Sequence, residues 1–168
     1  MTLQLRPLFM GEIDRMAIDG QLDLSSFEFH GARPLTSPVT IRGEIVMRAG
    51  LAVMTAVLSY EYEGVCDRCL ADVRRPMTTK MDHILVSELS GEETDELVLC
   101  ENEELPLEPL AEADIFLALP QKILCKSDCR GLCQHCGKNL NDGLCGCRND
   151  AGDPRLAVLA ALLEDEAE

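Results

Sequence analysis

From Val39 to Val86 apolar and polar side chains alternate with a period close to two, the pattern of strands that bury one face. In Val39–Gly50, Ile41, Ile45 and Met47 share one side while Arg42, Glu44 and Arg48 take the other. Arg48-Ala49-Gly50-Leu51 reads as a turn, after which residues 51–64 resume a β-rich, extended run. Beyond Cys66-Asp67-Arg68-Cys69 the alternation continues through residues 72–87. Pro76 within it suits a sheet edge or a bulge, because proline donates nothing to a ladder. The pattern predicts an antiparallel meander of at least three strands. Weaker alternation near residues 2–6 and over Leu24–His30 predicts additional short strands.

Downstream the period changes. Residues 87–104 combine Gly91 with a run of acids and read as a loop, interrupted by a short strand at Glu96–Cys100. A helix is expected from about Glu108 to Leu119, with Leu110, Ala113, Asp114 and Leu117 at helical spacing and Pro120 as its stop. A second is expected at the C-terminus, with Asp153 as N-cap, Pro154 in the first helical position, and Leu156, Leu159, Ala160 and Leu163 as its apolar stripe. The expected fold class is α+β: the meander, a following helix, a Cys-rich zinc-binding segment and a C-terminal helix. In domain terms this is an α+β core over 1–120 with an acidic loop near 87–104. A zinc-knuckle segment at 121–150 and a helix with an acidic tail at 151–168 complete it.

Charge narrows the choice of partner. The net charge is −15, and residues 81–120 hold 12 acidic side chains and no basic one. A generally basic nucleic-acid binder is excluded, since phosphate attraction is the usual source of such affinity. Aromatic residues make up only 4% of the chain and Trp is absent, which argues against a base-stacking platform. The first sixteen residues meet Glu12 and Asp14 early and resemble no signal peptide. The longest uncharged run, Ala49 to Tyr60, is too short to span a bilayer, so a soluble cytoplasmic protein is expected.

Chemistry concentrates in the nine cysteines, six of which fall between Cys125 and Cys147. In a reducing compartment such density favours metal over disulfides. Cys133 and Cys136 form a Cys-x-x-Cys knuckle followed by Gly137, and Cys145 and Cys147 can close a four-thiolate zinc site after an excursion rich in Asn and Gly. Cys66 and Cys69 form a second knuckle between two strand patterns. The economical arrangement pairs them with Cys125 and Cys129 around another zinc, for one or two ions in all. Cys100 then stands alone, as a half-buried strand cysteine. His135 lies inside the knuckle, in a solvated supporting role. A thiol redox protein is the rival reading, but no convincing helix follows Cys69 to stabilise a thiolate. No phosphate loop, GxGxxG or HExxH occurs, and no catalytic residue is assigned. The acidic block is a solvated face or a landing site for a basic partner. Arg68, Arg74, Arg75, Lys126, Arg130 and Lys138 cluster in sequence around the cysteines and could form a local basic face for RNA.

The run LPQKILCKSDCRGLCQHCGKNLNDGLCGC, followed by DPRLAVLAALL and preceded by CDRCL after a strand, resembles the YceD family of large ribosomal RNA subunit accumulation proteins. The resemblance spans roughly Val39 to Leu163 and is sharpest from Pro120 onward. It implies a non-catalytic factor in large ribosomal subunit biogenesis. The expected partner is a ribosomal protein or a pre-large-subunit particle, with direct rRNA contact as the alternative, and no membrane is involved. Cys66 and Cys69 match the family's mid-chain CxxC, and the six later cysteines match its C-terminal cluster. Some members keep the first and lack the GLCxxCG knuckle, which implies two separable sites.

Overall fold

The computed structural model describes residues 1–88 and 97–147. Its elements are β1 (Thr2–Gln4), α1 (Arg6–Phe9), β2 (Arg15–Leu22), β3 (Val39–Arg48), β4 (Leu51–Val65), β5 (Asp72–Val86), β6 (Leu97–Leu99), β7 (Glu104–Pro106) and α2 (Leu107–Ala118). The chain divides into two compact units, Met1–Asp67 with Ala71–Cys125, and Arg68–Leu70 with the chain from Lys126. All the named elements belong to the first unit.

Its main sheet has the order β2-β3-β4-β5-β6. The first four strands are antiparallel neighbours, whereas β6 joins β5 in parallel over Ile84–Val86 only. Pro76 therefore lies in the part of β5 that β6 does not reach, where its missing N–H costs no ladder bond. β1 and β7 pair separately as a two-stranded ribbon. The turn at residues 48–51 is a two-residue hairpin, with Arg48 opposite Leu51 and positive φ at Ala49 (49°) and Gly50 (84°). That conformation matches the twist of the flanking strands.

Two-residue alternation decides the buried face. Along β4, Ala52, Met54, Ala56, Leu58, Tyr60 and Tyr62 are all buried. They join Ile18, Ile41, Ile45, Met81 and Leu85 in the core. Gly43 is required where β3 meets β4, since a Cβ there would stand 2.2 Å from the Thr55 carbonyl oxygen. Helix α2 adds Leu107, Ala111 and Ile115. Its polar tie to the sheet runs from Asp114 Oδ2 to His83 Nε2 of β5 at 2.7 Å.

Two sequence expectations are corrected here. The buried stripe of α2 is Leu107, Ala111 and Ile115, not Leu110, Ala113 and Leu117; Leu117 is 81% exposed. The buried positions repeat every four residues from Leu107, the first residue of the helix, directly after β7. Leu24–His30 is no strand: Asp23 Oδ1 accepts the Ser25 N–H and Leu24 O accepts the Phe27 N–H, closing turns in which Phe27 and Phe29 are buried. Arg15–Leu22, which carried no strand expectation, is β2. The helix expected after Asp153, the acidic tail and the centre of the acidic loop lie outside the described residues.

Candidate metal centres

Both Cys-x-x-Cys segments fold as the same turn. Cys66 N–H donates to Ala71 O at 2.8 Å and Cys133 N–H donates to Lys138 O at 2.8 Å, five residues on in each case. Each turn ends in a left-handed residue behind its second cysteine, Leu70 at φ 58° and Gly137 at φ 71°. Glycine takes that conformation at no steric cost, whereas the leucine holds it under strain of about 1–2 kcal/mol.

These turns bring the cysteines together in fours. The sulfurs of Cys66, Cys69, Cys125 and Cys129 all lie within 4.8 Å of one another, and so do those of Cys133, Cys136, Cys145 and Cys147. A zinc–sulfur bond of about 2.3 Å sets tetrahedral sulfur–sulfur separations near ~3.8 Å, so each group fits a four-thiolate zinc ion by both donor chemistry and spacing. Such sites leave no ligand position open and are structural in character. His135 is not among the grouped ligands.

Asp67 and Arg68, the two residues enclosed by the first knuckle, each fix a segment bearing a further cysteine. Asp67 and Ile123 bond reciprocally: Asp67 N–H donates to Ile123 O at 2.9 Å and Ile123 N–H donates to Asp67 Oδ2 at 2.5 Å. That holds the chain two residues before Cys125. Within the second unit Arg68 Nη1 donates to Cys129 O at 2.9 Å, and Arg68 O accepts the Leu132 N–H. Gly131 comes so close to Arg68 O that a Cβ would stand at 3.0 Å, with φ at 75°.

The thiols differ in acidity. Cys133 is pulled down to about 6, first by the Cys136 backbone N–H, then by that of His135 and by the Cys145 thiol. Cys147 is pushed up to about 12, chiefly by its hydrogen bond with Cys136. A cation at the centre would favour all four thiolates. Burial pushes Cys100 up to about 11; it is 1% exposed and its thiol points to Val98 O. Cys66–Cys69 connects two antiparallel strands and opens no helix, so no helix dipole activates a thiolate there.

The basic residues singled out in the sequence differ in what holds them. Arg74 is bound by Glu61 and Glu63 of β4 at 2.9 and 3.0 Å. Arg75, its neighbour on β5, points to the opposite face, with its Nε buried and unpartnered among the described residues. Lys138 Nζ donates to Leu144 O at 3.1 Å, closing the second knuckle's excursion. Lys126 and Arg130 are exposed. Sequence reasoning missed Asp67, Arg68 as a clamp, and the amide of Asn141 that meets Cys129 Sγ at 3.3 Å. Their placement inside or beside the cysteine motifs was the available signal.

Fold and site together define a small, sheet-rich α+β protein with two four-cysteine clusters that could hold metal ions. The profile of the family described as "Large ribosomal RNA subunit accumulation protein YceD" matches residues 54–163, and the chain belongs to that family. The family's name implies a role in accumulation of large-subunit ribosomal RNA. Among its relatives is the uncharacterized protein YlbN of Bacillus subtilis, 25% identical over 134 residues covering 79% of this chain and 78% of that one. The uncharacterized protein Rv2926c of Mycobacterium tuberculosis is 31% identical over 121 residues, which cover 69% of this chain and 58% of that protein. Neither name states an activity. No solved structure gives a significant match. Among the described residues no helix is long and apolar enough to cross a membrane.

Proposed function

We propose that this protein is a non-catalytic zinc-binding factor in large ribosomal subunit biogenesis, supporting accumulation of the subunit's RNA by holding a basic ribosomal protein or an assembly intermediate. The observation that carries the reading is that all eight clustered cysteines lie inside the family span of residues 54–163. The knuckles serve as rigid supports. The 12 acids of residues 81–120 supply the attraction, steering basic partners and repelling bare RNA. Each Zn²⁺ held by four thiolates carries about −2, which reinforces that sign. Direct rRNA binding is the second reading, favoured by exposed Lys126 and Arg130 beside Cys129.

The zinc-loaded chain is to be titrated with purified basic large-subunit proteins and, separately, with large-subunit rRNA fragments, at low and moderate salt. A basic protein is expected to bind while the fragments do not. RNA binding that weakens steeply with salt, together with no protein binding, would replace the first reading with the second.

A further inference from the structure

The side-chain amide of Asn141 has only one orientation that satisfies its surroundings. Its Oδ1 accepts the Arg130 backbone N–H at 3.0 Å. Its Nδ2 donates to Asn139 Oδ1 at 2.8 Å and to Cys129 Sγ at 3.3 Å. Turning the amide over would set oxygen against oxygen and N–H against N–H, so a donor faces the sulfur.

Asn141 and Cys129 belong to different clusters. Asn141 stands on the excursion between Cys136 and Cys145, whose ends the second cluster ties together; Cys129 is a ligand of the first. The excursion is seated along residues 129–132 by its backbone, with Leu140 N–H donating to Gly131 O at 2.9 Å and Leu132 bridged to Asn139. The Asn139 side chain also takes the Asn141 N–H at 3.0 Å. An N–H aimed at a metal-bound thiolate offsets its charge and favours the ligand form over the thiol.

We propose that Asn141 is a positioning residue of the first metal cluster, so that filling the second cluster, by closing the loop that carries Asn141, strengthens metal binding at the first. The inference rests on the reading that both clusters hold zinc. Linkage makes the coupling reciprocal: an occupied first cluster strengthens the second by the same factor.

The test uses the full chain loaded with zinc, counted by native mass spectrometry, then challenged with a chelator and an alkylating agent. Peptide mass spectrometry follows each cysteine separately. Asn141→Asp keeps an acceptor for the Arg130 N–H and loses the donor to sulfur; Asn141→Ala loses the donor without adding charge. In both, Cys66, Cys69, Cys125 and Cys129 are expected to be labelled roughly 10- to 100-fold faster, and by reciprocity Cys133, Cys136, Cys145 and Cys147 are labelled faster as well. Cys133→Ser/Cys136→Ser, which removes the second ion, is expected to accelerate the first cluster likewise. Unchanged first-cluster labelling in all three variants overturns the coupling, as does an Asn141→Ala effect on the first cluster that is as large in the Cys133→Ser/Cys136→Ser chain as in the wild-type chain. A wild-type chain that carries no zinc defeats the zinc reading itself, a result distinct from either.

Discussion

Cys100 shows how one buried side chain makes stability depend on pH. Its thiol is 1% exposed, and burial raises it from an ordinary 9.0 to about 11. Below pH 9 the folded and unfolded chains both hold the proton, and pH has no effect through this group. Between 9 and 11 the unfolded chain releases it while the folded chain keeps it, so stability falls as pH rises. Cys100→Ala removes that contribution along with some packing. The variant is expected to be less stable than wild type at pH 8, with the gap narrowing by pH 10.5. Urea midpoints at the two values measure it; a constant gap would mean that the thiol ionises in the folded chain as it does in water. Leu70 is the opposite kind of residue, 64% exposed and strained at φ 58°. Its backbone is held by the turn geometry that points the first knuckle's thiols inward, a local cost retained at a site.

At the scale of elements, α2 is held to β5 by a side-chain bond as well as by its apolar stripe. His83 and Asp114 are 19% and 15% exposed, enough burial for the missing partner to be felt. Asp114→Ala is expected to lower stability by about 1–3 kcal/mol, read as a lower urea midpoint with an unchanged slope. Asp114→Asn, which keeps an oxygen in place, should recover part of it. A midpoint shift below a few tenths of a kcal/mol in Asp114→Ala would mean that α2 is held by Leu107, Ala111 and Ile115 alone. The same elements show what the sequence could express. β3, β4 and β5 were legible because alternation is local and survives any tertiary arrangement. The two cysteine groups followed from spacing and elimination. The face of α2 was not legible: Leu110, Ala113 and Leu117 make as good a stripe as Leu107, Ala111 and Ile115, and only the sheet decides between them. The alternation of β2 is weak because Gly20, opposite Ile41 of β3, leaves its inward face without a side chain and Ala17 is apolar on the exposed face. The Asp67, Arg68 and Asn141 bonds join residues remote in sequence or lying in different motifs, and no periodicity encodes them.

At the scale of the whole molecule, the two units are stabilised by different physics. The first has its own apolar core, with Ile18, Leu22, Ile41, Ile45, Met54, Leu58, Met81 and Leu85 each at most 2% exposed. In the second, the buried residues among 126–147 are Cys129, Gly131 and Cys133, while Leu144 is 80% exposed. Among the described residues, 126–147 bury too few aliphatic side chains to offset the entropy of ordering that segment. Structural zinc meets that need: in small knuckle peptides its apparent binding energy is already net of ordering the chain, so binding energy is folding energy. Excess chelator is therefore expected to strip hydrogen-exchange protection from the amides of residues 126–147, including those of Cys133, Gly137 and Leu140. The amides of β3, β4 and β5 should keep theirs, with the strand signal in far-UV circular dichroism largely retained. Re-added zinc should restore the lost protection, because the ligands remain in the chain. Full removal of metal with no change in residues 126–147 would show that hydrogen bonds alone hold the knuckles. Loss of protection throughout β3–β5 would instead show that the sheet's apolar core is insufficient without the metal.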